Sequence, residues 1–204
     1  MPAPRDLAPL LHRARRGDRD ALGMVWQACR RFVATVLLAH ADRRAIDDLL
    51  QEVALRVTGG LDGLADVDRL RPWLRTIARN VAIDHGRRVS LETPRRALEH
   101  AENGLVDPFY DPALQQRHHD DLHAVLHDLA QLEPIYREPL LLRAVEGLSQ
   151  REIADALDVP ETTVETRIAR ARRLLRERHE AHSRPAAGDR HDARERRTVD
   201  QPGR

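Results

Sequence analysis

Residues 148–178, LSQREIADALDVPETTVETRIARARRLLRER, decide the reading of this chain. Ser149 is a good helix N-cap, and Glu152 follows at the capping-box spacing, where the two side chains satisfy orphan backbone donors reciprocally. Ile153, Ala154 and Leu157 form the apolar stripe of a short helix. Asp158-Val159-Pro160 breaks it, because the residue before a proline is pushed out of the α region. A second helix starts at Glu161, with acidic and threonine residues in its first turn. Val164, Ile168, Ala171 and Leu175 fall at i, i+4, i+7 and i+11 on one face; Thr162, Glu165, Thr166, Ala169, Arg170, Arg173 and Arg176 cover the other. A short capped helix, a tight turn and a longer basic helix with an apolar back form the pattern of a helix-turn-helix with a recognition helix. A solvated helical hairpin gives the same local pattern, so the context must decide.

The 204 residues allow one or two small domains. All 34 basic residues are arginine, which reflects coding bias as much as phosphate recognition. The net charge of +1 does not announce a nucleic-acid binder, but its distribution is uneven. Residues 1–88 hold 16 Arg against 11 acids, residues 89–132 hold 3 against 8, and residues 161–178 hold 6 against 3. Cys29 is the only cysteine, which excludes an intrachain disulfide and any multi-thiolate metal site, and its apolar helical setting marks a buried thiol. No apolar run approaches bilayer length and no signal-peptide core follows Met1, so a cytoplasmic protein without membrane insertion is expected.

Helical periodicity runs through 7–16 and 20–39, broken at Gly17-Asp18, with Leu22, Trp26, Cys29, Val33 and Leu37 facing a core. In the next helix Ile46, Leu49, Leu50, Val53 and Val57 point inward and Asp47, Asp48, Gln51 and Glu52 form an acidic outward patch. By itself that patch is a solvated face. Gly59-Gly60 stops the helix, a loop follows, and RPWLRTIARNVAIDHGRR (71–88) makes a basic helix whose Leu74, Ile77, Ala78 and Val81 line one side. Trp73 is either a stacking ring for a single strand or a core residue. Prolines and acids in 89–117 read as a linker. Periodicity resumes near His118 with Leu122, Val125, Leu126 and Leu129; the following helix draws its core from Ile135, Leu140, Leu141, Leu142 and Val145. After about Glu180 the sequence has the composition of a disordered tail. His119, His123 and His127 share a helical face at metal-binding spacing, but no fourth ligand is evident and no metal is assigned.

Taken together, DDLLQEVALRV (47–57), RPWLRTIARNVAIDHGRR (71–88) and LEPIYREPLLLRAVEGLSQREIADALDVPETTVETRIARARRLLRE (132–177) resemble a bacterial RNA polymerase sigma factor of the sigma-70 family, extracytoplasmic-function (ECF) class. The resemblance implies an all-α chain of two small helical domains joined by a flexible acidic linker. A region 2-like domain would span 1–90, the linker 91–117, a region 4-like helix-turn-helix domain 118–180 and a disordered tail 181–204. It implies that Asp47, Asp48, Leu49, Gln51 and Glu52 dock on the clamp helices of the largest subunit of core RNA polymerase. Arg71, Trp73, Arg75, Arg79, Asn80, Asp84, Arg87 and Arg88 would serve the melted −10 element, where an extruded base needs a pocket, an edge-reading group and phosphate contacts. Arg151, Thr162, Thr163, Glu165, Thr166, Arg167, Arg170 and Arg173 would serve the duplex −35 element in the major groove. An anti-sigma factor is a further implied partner.

Four positions, in three departures, differ from the family pattern. Glu165 stands where a basic residue is frequent, Leu64 and Leu70 replace frequent phenylalanines, and Asp158 replaces the usual turn glycine. Aspartate tolerates the left-handed region better than most residues. No nucleophile–base set or phosphate-binding glycine loop occurs, so neither catalytic residues nor cofactors are assigned. Two other classes compete: an ordinary helix-turn-helix regulator that does not bind polymerase, and an enzyme built on the histidine cluster.

Overall fold

A computed structural model describes residues 1–64, 66–92 and 125–183, and their regular structure is all helical, with no strand among them. Helices α1 (Ala8–Arg15), α2 (Arg19–His40), α3 (Ile46–Gly60) and α4 (Leu70–Glu92) make the N-terminal half. The C-terminal half has α5, described over 125–130, followed by α6 (Pro134–Ala144), α7 (Gln150–Leu157) and α8 (Glu161–Ser183). The linker expected over 91–117 and the tail expected over 181–204 lie almost wholly outside the described residues, as do His119 and His123.

The break between α1 and α2 has a local cause. Gly17 takes φ +89°, which lets the chain reverse, and the Asp18 carboxylate then caps α2 by accepting from the Ala21 amide at 3.0 Å. Arg13 holds the same carboxylate from the preceding turn. α2 packs against α1, α3, α4 and α6. Its buried face is Ala21, Val25, Cys29, Phe32, Val33, Val36 and Leu37. Leu22 and Trp26, expected in the core, lie at the edge of that face, half-buried. One expectation needs correcting here. α2 is long and apolar enough to cross a membrane by length and composition, although the sequence suggested that no such run exists. Its apolar side is already covered by four helices, as befits the central helix of a core.

The halves do not stand apart. Buried side chains from Leu7 to Ala171 form one continuous cluster, joined where α6 packs on α2 and α7 packs on α4. In α6 the core is Leu140, Leu141 and Leu142, whereas Ile135, Val145 and, in α5, Val125 are exposed, contrary to expectation. Gly147, at φ +68°, ends the segment after α6 as expected.

Candidate polymerase and promoter interfaces

The helix-turn-helix is built as its sequence requires. The Ser149 hydroxyl accepts the Glu152 amide at 3.2 Å, and Glu152 Oε2 accepts the Ser149 amide at 2.9 Å, completing the capping box. Asp158 closes α7 in the left-handed region at φ 56°, which matches the tolerance that let it replace glycine. The Gln150 side-chain amide donates to the Glu161 carbonyl at 3.0 Å and ties the two helix starts together. Ile153, Val164, Ile168 and Ala171 are buried beneath. Thr162, Glu165, Thr166, Arg170 and Arg173 are exposed on α8, and Arg151 is exposed on α7. Thr163 and Arg167 are half-buried at the rim of this face. The Thr166 hydroxyl donates back to the Thr162 carbonyl at 2.9 Å, so its proton is engaged within the helix.

On α3, Asp47, Asp48 and Gln51 are exposed, and Leu55 is 75 % exposed. Helical geometry puts Leu55 on the same face as Asp48, Gln51 and Glu52. Sequence reasoning passed over Leu55, yet a long apolar side chain interrupting a polar outward face was a readable signal. Leu49 is 2 % exposed and packed in the core, so it fixes the helix instead of meeting a partner. Glu52 is not a free acid either. It receives Arg56 at 2.6 Å and Arg88 at 3.1 Å, linking α3 to α4.

Along α4 the expected single-strand residues divide into two groups. Arg79, Asn80, Arg87 and Arg88 are exposed towards the C-terminal end, with Asp84 half-exposed beside them and facing Arg56 and Arg87. At the N-terminal end Arg71 is only 6 % exposed and donates to Glu152 at 3.0 Å. Arg75 makes a two-pronged pair with Glu138, at 2.6 and 2.8 Å. Trp73 is half-buried against the core, with its ring edge 3.5 Å from where a Cβ on Gly60 would stand. Leu64 and Leu70 are core residues, and the Arg15 guanidinium holds the loop between them by donating to the Leu64 carbonyl.

Electrostatics agree with this geometry. Burial pushes the Glu138 carboxyl up, but hydrogen bonds from His40 and Arg75 and the charge beside them outweigh it, leaving it below the ordinary value of 4.5. The Ser149 amide and hydroxyl, then Arg71, hold Glu152 below its ordinary value despite some desolvation. Among the described residues no three His, Cys, Asp or Glu side chains are grouped to hold a metal; His127 is described and exposed.

An exposed acidic face on α3, a basic face on α4 and a capped helix-turn-helix follow one another along the chain, and two family descriptions match over these segments. Residues 21–91 match the family description "Sigma-70 region 2" and residues 122–175 match "Sigma-70, region 4". The chain belongs to the sigma-70 family. The ECF RNA polymerase sigma factor SigC of Mycobacterium tuberculosis is 33% identical over 162 residues, covering 79% of this chain and 85% of that one. The probable RNA polymerase sigma factor RfaY of Xanthomonas campestris is 33% identical over 172 residues, and this chain spans only 42% of its length. Among solved structures, CnrH in complex with the cytosolic domain of CnrY superposes with a TM-score of 0.61 at 26% identity, covering 85% of this chain and 97% of that one. The region 2 match therefore falls on α2–α4 with their two outward faces, and the region 4 match includes the helix-turn-helix of α7 and α8.

Proposed function

We propose that this chain is an alternative sigma factor, which binds core RNA polymerase and directs promoter-specific initiation without catalysis of its own. The observation that carries this is the coexistence, in one chain, of the exposed Asp47, Asp48, Gln51 and Leu55 face on α3 and the exposed Thr162, Glu165, Thr166 and Arg170 face on α8. An ordinary regulator needs only the second. Region 2 (1–90) docks on the clamp helices of the largest polymerase subunit through the first face. Arg79, Asn80, Arg87 and Arg88, with Asp84 orienting Arg87 beside them and Arg71, Trp73 and Arg75 joining once these are uncovered, take the melted −10 strand by phosphate pairing and base stacking. Region 4 (118–180) reads the −35 duplex, with Glu165 suited to accept from a cytosine amino group and Arg170, Arg167 and Arg173 to meet guanine or phosphate. The linker (91–117) would lie in the basic channels of the polymerase, and the tail follows at 181–204. The protein works in the cytoplasm, and an anti-sigma factor is its expected regulator.

The test is a pull-down of purified core RNA polymerase followed by run-off transcription on genomic fragments. Co-elution with discrete transcripts sharing a −35/−10 pair is the expected result. Duplex binding without polymerase association would return the protein to the ordinary regulators and make the α3 face a solvated surface.

A further inference from the structure

Towards the C-terminal end of α4, where α2, α4, α5 and α6 converge, lies a cavity of about 510 Å³. That volume falls within the range of small-molecule sites, about 300–1,000 Å³. Each helix gives the cavity one stripe. From α4 come Ala82, His85, Gly86 and Val89, at i, i+3, i+4 and i+7; from α6 come Arg137 and Leu141, at i and i+4. Leu38 at the end of α2, with Leu126 and Leu129 on α5, completes an apolar wall. The core leaves this wall partly uncovered: Leu38, Leu126 and Leu129 are half-buried and Val89 is 46 % exposed.

The polar groups on the groove are mostly basic. His40, Arg43, His85 and Arg137 stand there against one acid of the described residues, Asp42, whose carboxylate accepts the Arg44 amide at 2.8 Å. His40 is turned to Glu138 at 3.2 Å. Arg137 is placed differently. It is half-buried, its Nε is buried with no hydrogen-bond partner, and burial lowers its pKa with no acid of the described residues to offset the effect. A guanidinium keeps its charge in a protein, so a desolvated one without a counter-charge is costly and suits an incoming anion. The cleft lined by α4 and α7 offers no such group on its rim, because Arg5, Arg69 and Arg71 there already meet Asp68, Asp158 and Glu152.

We propose that this groove binds a single-chain amphiphilic anion, its apolar chain lying along Leu38, Val89, Leu126 and Leu129 and its carboxylate or phosphate head on Arg137. A purely apolar ligand would leave the guanidinium unmet, and a small hydrophilic anion would leave the apolar wall wet. The site is independent of the promoter reading above.

Calorimetric titration of the full chain with decanoate and with decyl phosphate, each below its micelle concentration, tests this. Decanol serves as the uncharged probe and decyltrimethylammonium as the cationic one. Two variants accompany wild type: Arg137→Gln removes the charge, and Gly86→Leu fills the groove at a helical position where an added Cβ meets no atom within 4 Å. Circular dichroism and melting without ligand check that both variants fold. Wild type should bind a decyl anion at one site and melt higher in its presence, and the tighter of the two anions identifies the head group. Arg137→Gln should lose at least about tenfold in affinity for that anion, the value of a charge-assisted hydrogen bond, and none for decanol. Gly86→Leu should lose both. No saturable anion binding by wild type would overturn the site. Equal anion affinity in wild type and Arg137→Gln, or equal binding of decanoate and decyltrimethylammonium, would overturn the role of Arg137. Unchanged anion affinity in a folded Gly86→Leu would overturn the placement in this groove.

Discussion

Glu152 holds two structures at once, and removing it should cost more than removing its capping partner. Ser149→Ala deletes the hydroxyl that accepts the Glu152 amide, a loss of about 1 kcal/mol for an N-cap of this kind. Glu152→Ala deletes the reciprocal half of the box and also the carboxylate paired with Arg71, whose side chain is 7% exposed and whose Nε has no partner among the described residues. Glu152 itself is 40% exposed, so solvent screening keeps that pair nearer 1 kcal/mol than the roughly 3–5 of a fully buried one. The sum for Glu152→Ala is then about 2 kcal/mol, against about 1 for Ser149→Ala. Urea unfolding followed by circular dichroism measures both, and Arg71→Met in each background isolates the interdomain share. The pH dependence has a defined sign. Because Glu152 is held below its ordinary value, its contribution is complete above about 4.5 and is lost as pH falls through the depressed value. Glu152→Gln should flatten that acid limb. Equal costs for Ser149→Ala and Glu152→Ala would refute the double role, and an unchanged acid limb in Glu152→Gln would refute the electrostatic part.

Asp47→Arg with Asp48→Arg should abolish polymerase binding while leaving helicity intact, at a cost of about 1–2 kcal/mol for reversing charge at the α3 N-terminus; Glu52 is a poorer choice because it ties α3 to α4. Retained binding of core polymerase by that variant would show that α3 is not the docking face. Arg170→Ala should weaken binding to the cognate −35 duplex by about 1–3 kcal/mol, measured by fluorescence anisotropy, with no change in thermal stability because Arg170 is exposed. Burial pushes the Cys29 thiol up to about 12, so a thiol reagent at neutral pH should label the protein only at the rate at which it unfolds; rapid labelling of native protein would contradict the packing of α2.

Much of this molecule was legible because its information is local. The Ser149/Glu152 box, the Gly17-Asp18 break and the left-handed Asp158 are decided within four residues, where the sequence speaks directly. Periodicity placed every described α-helix, but not the short 3-10 turns such as Leu61–Gly63 and Val67–Arg69, and its phase was less secure. α2 turned out rotated towards Val25, Phe32 and Val36, and Ile135 on α6 and Val145 just after it face solvent. Hydrophobic spacing says that a stripe exists, while neighbours choose which edge of it they cover. Glu138 was invisible to local rules. An acid inside an apolar helix signals a buried partner, but that partner, Arg75, lies 63 positions away. Arg71 and Arg75 were legible as cations and illegible as occupied ones, for the same reason.

Trp26 and Trp73 both belong to the first four helices, and no tryptophan stands in region 4. Intrinsic fluorescence of this chain is therefore a report from region 2 alone, whereas circular dichroism weighs both regions. If the shared core and its acid–arginine pairs bind the regions into one cooperative unit, the two melting curves superimpose although only one region can be seen by the first probe. A curve pair that separates on adding salt would then measure how much of that cooperativity is carried by charge.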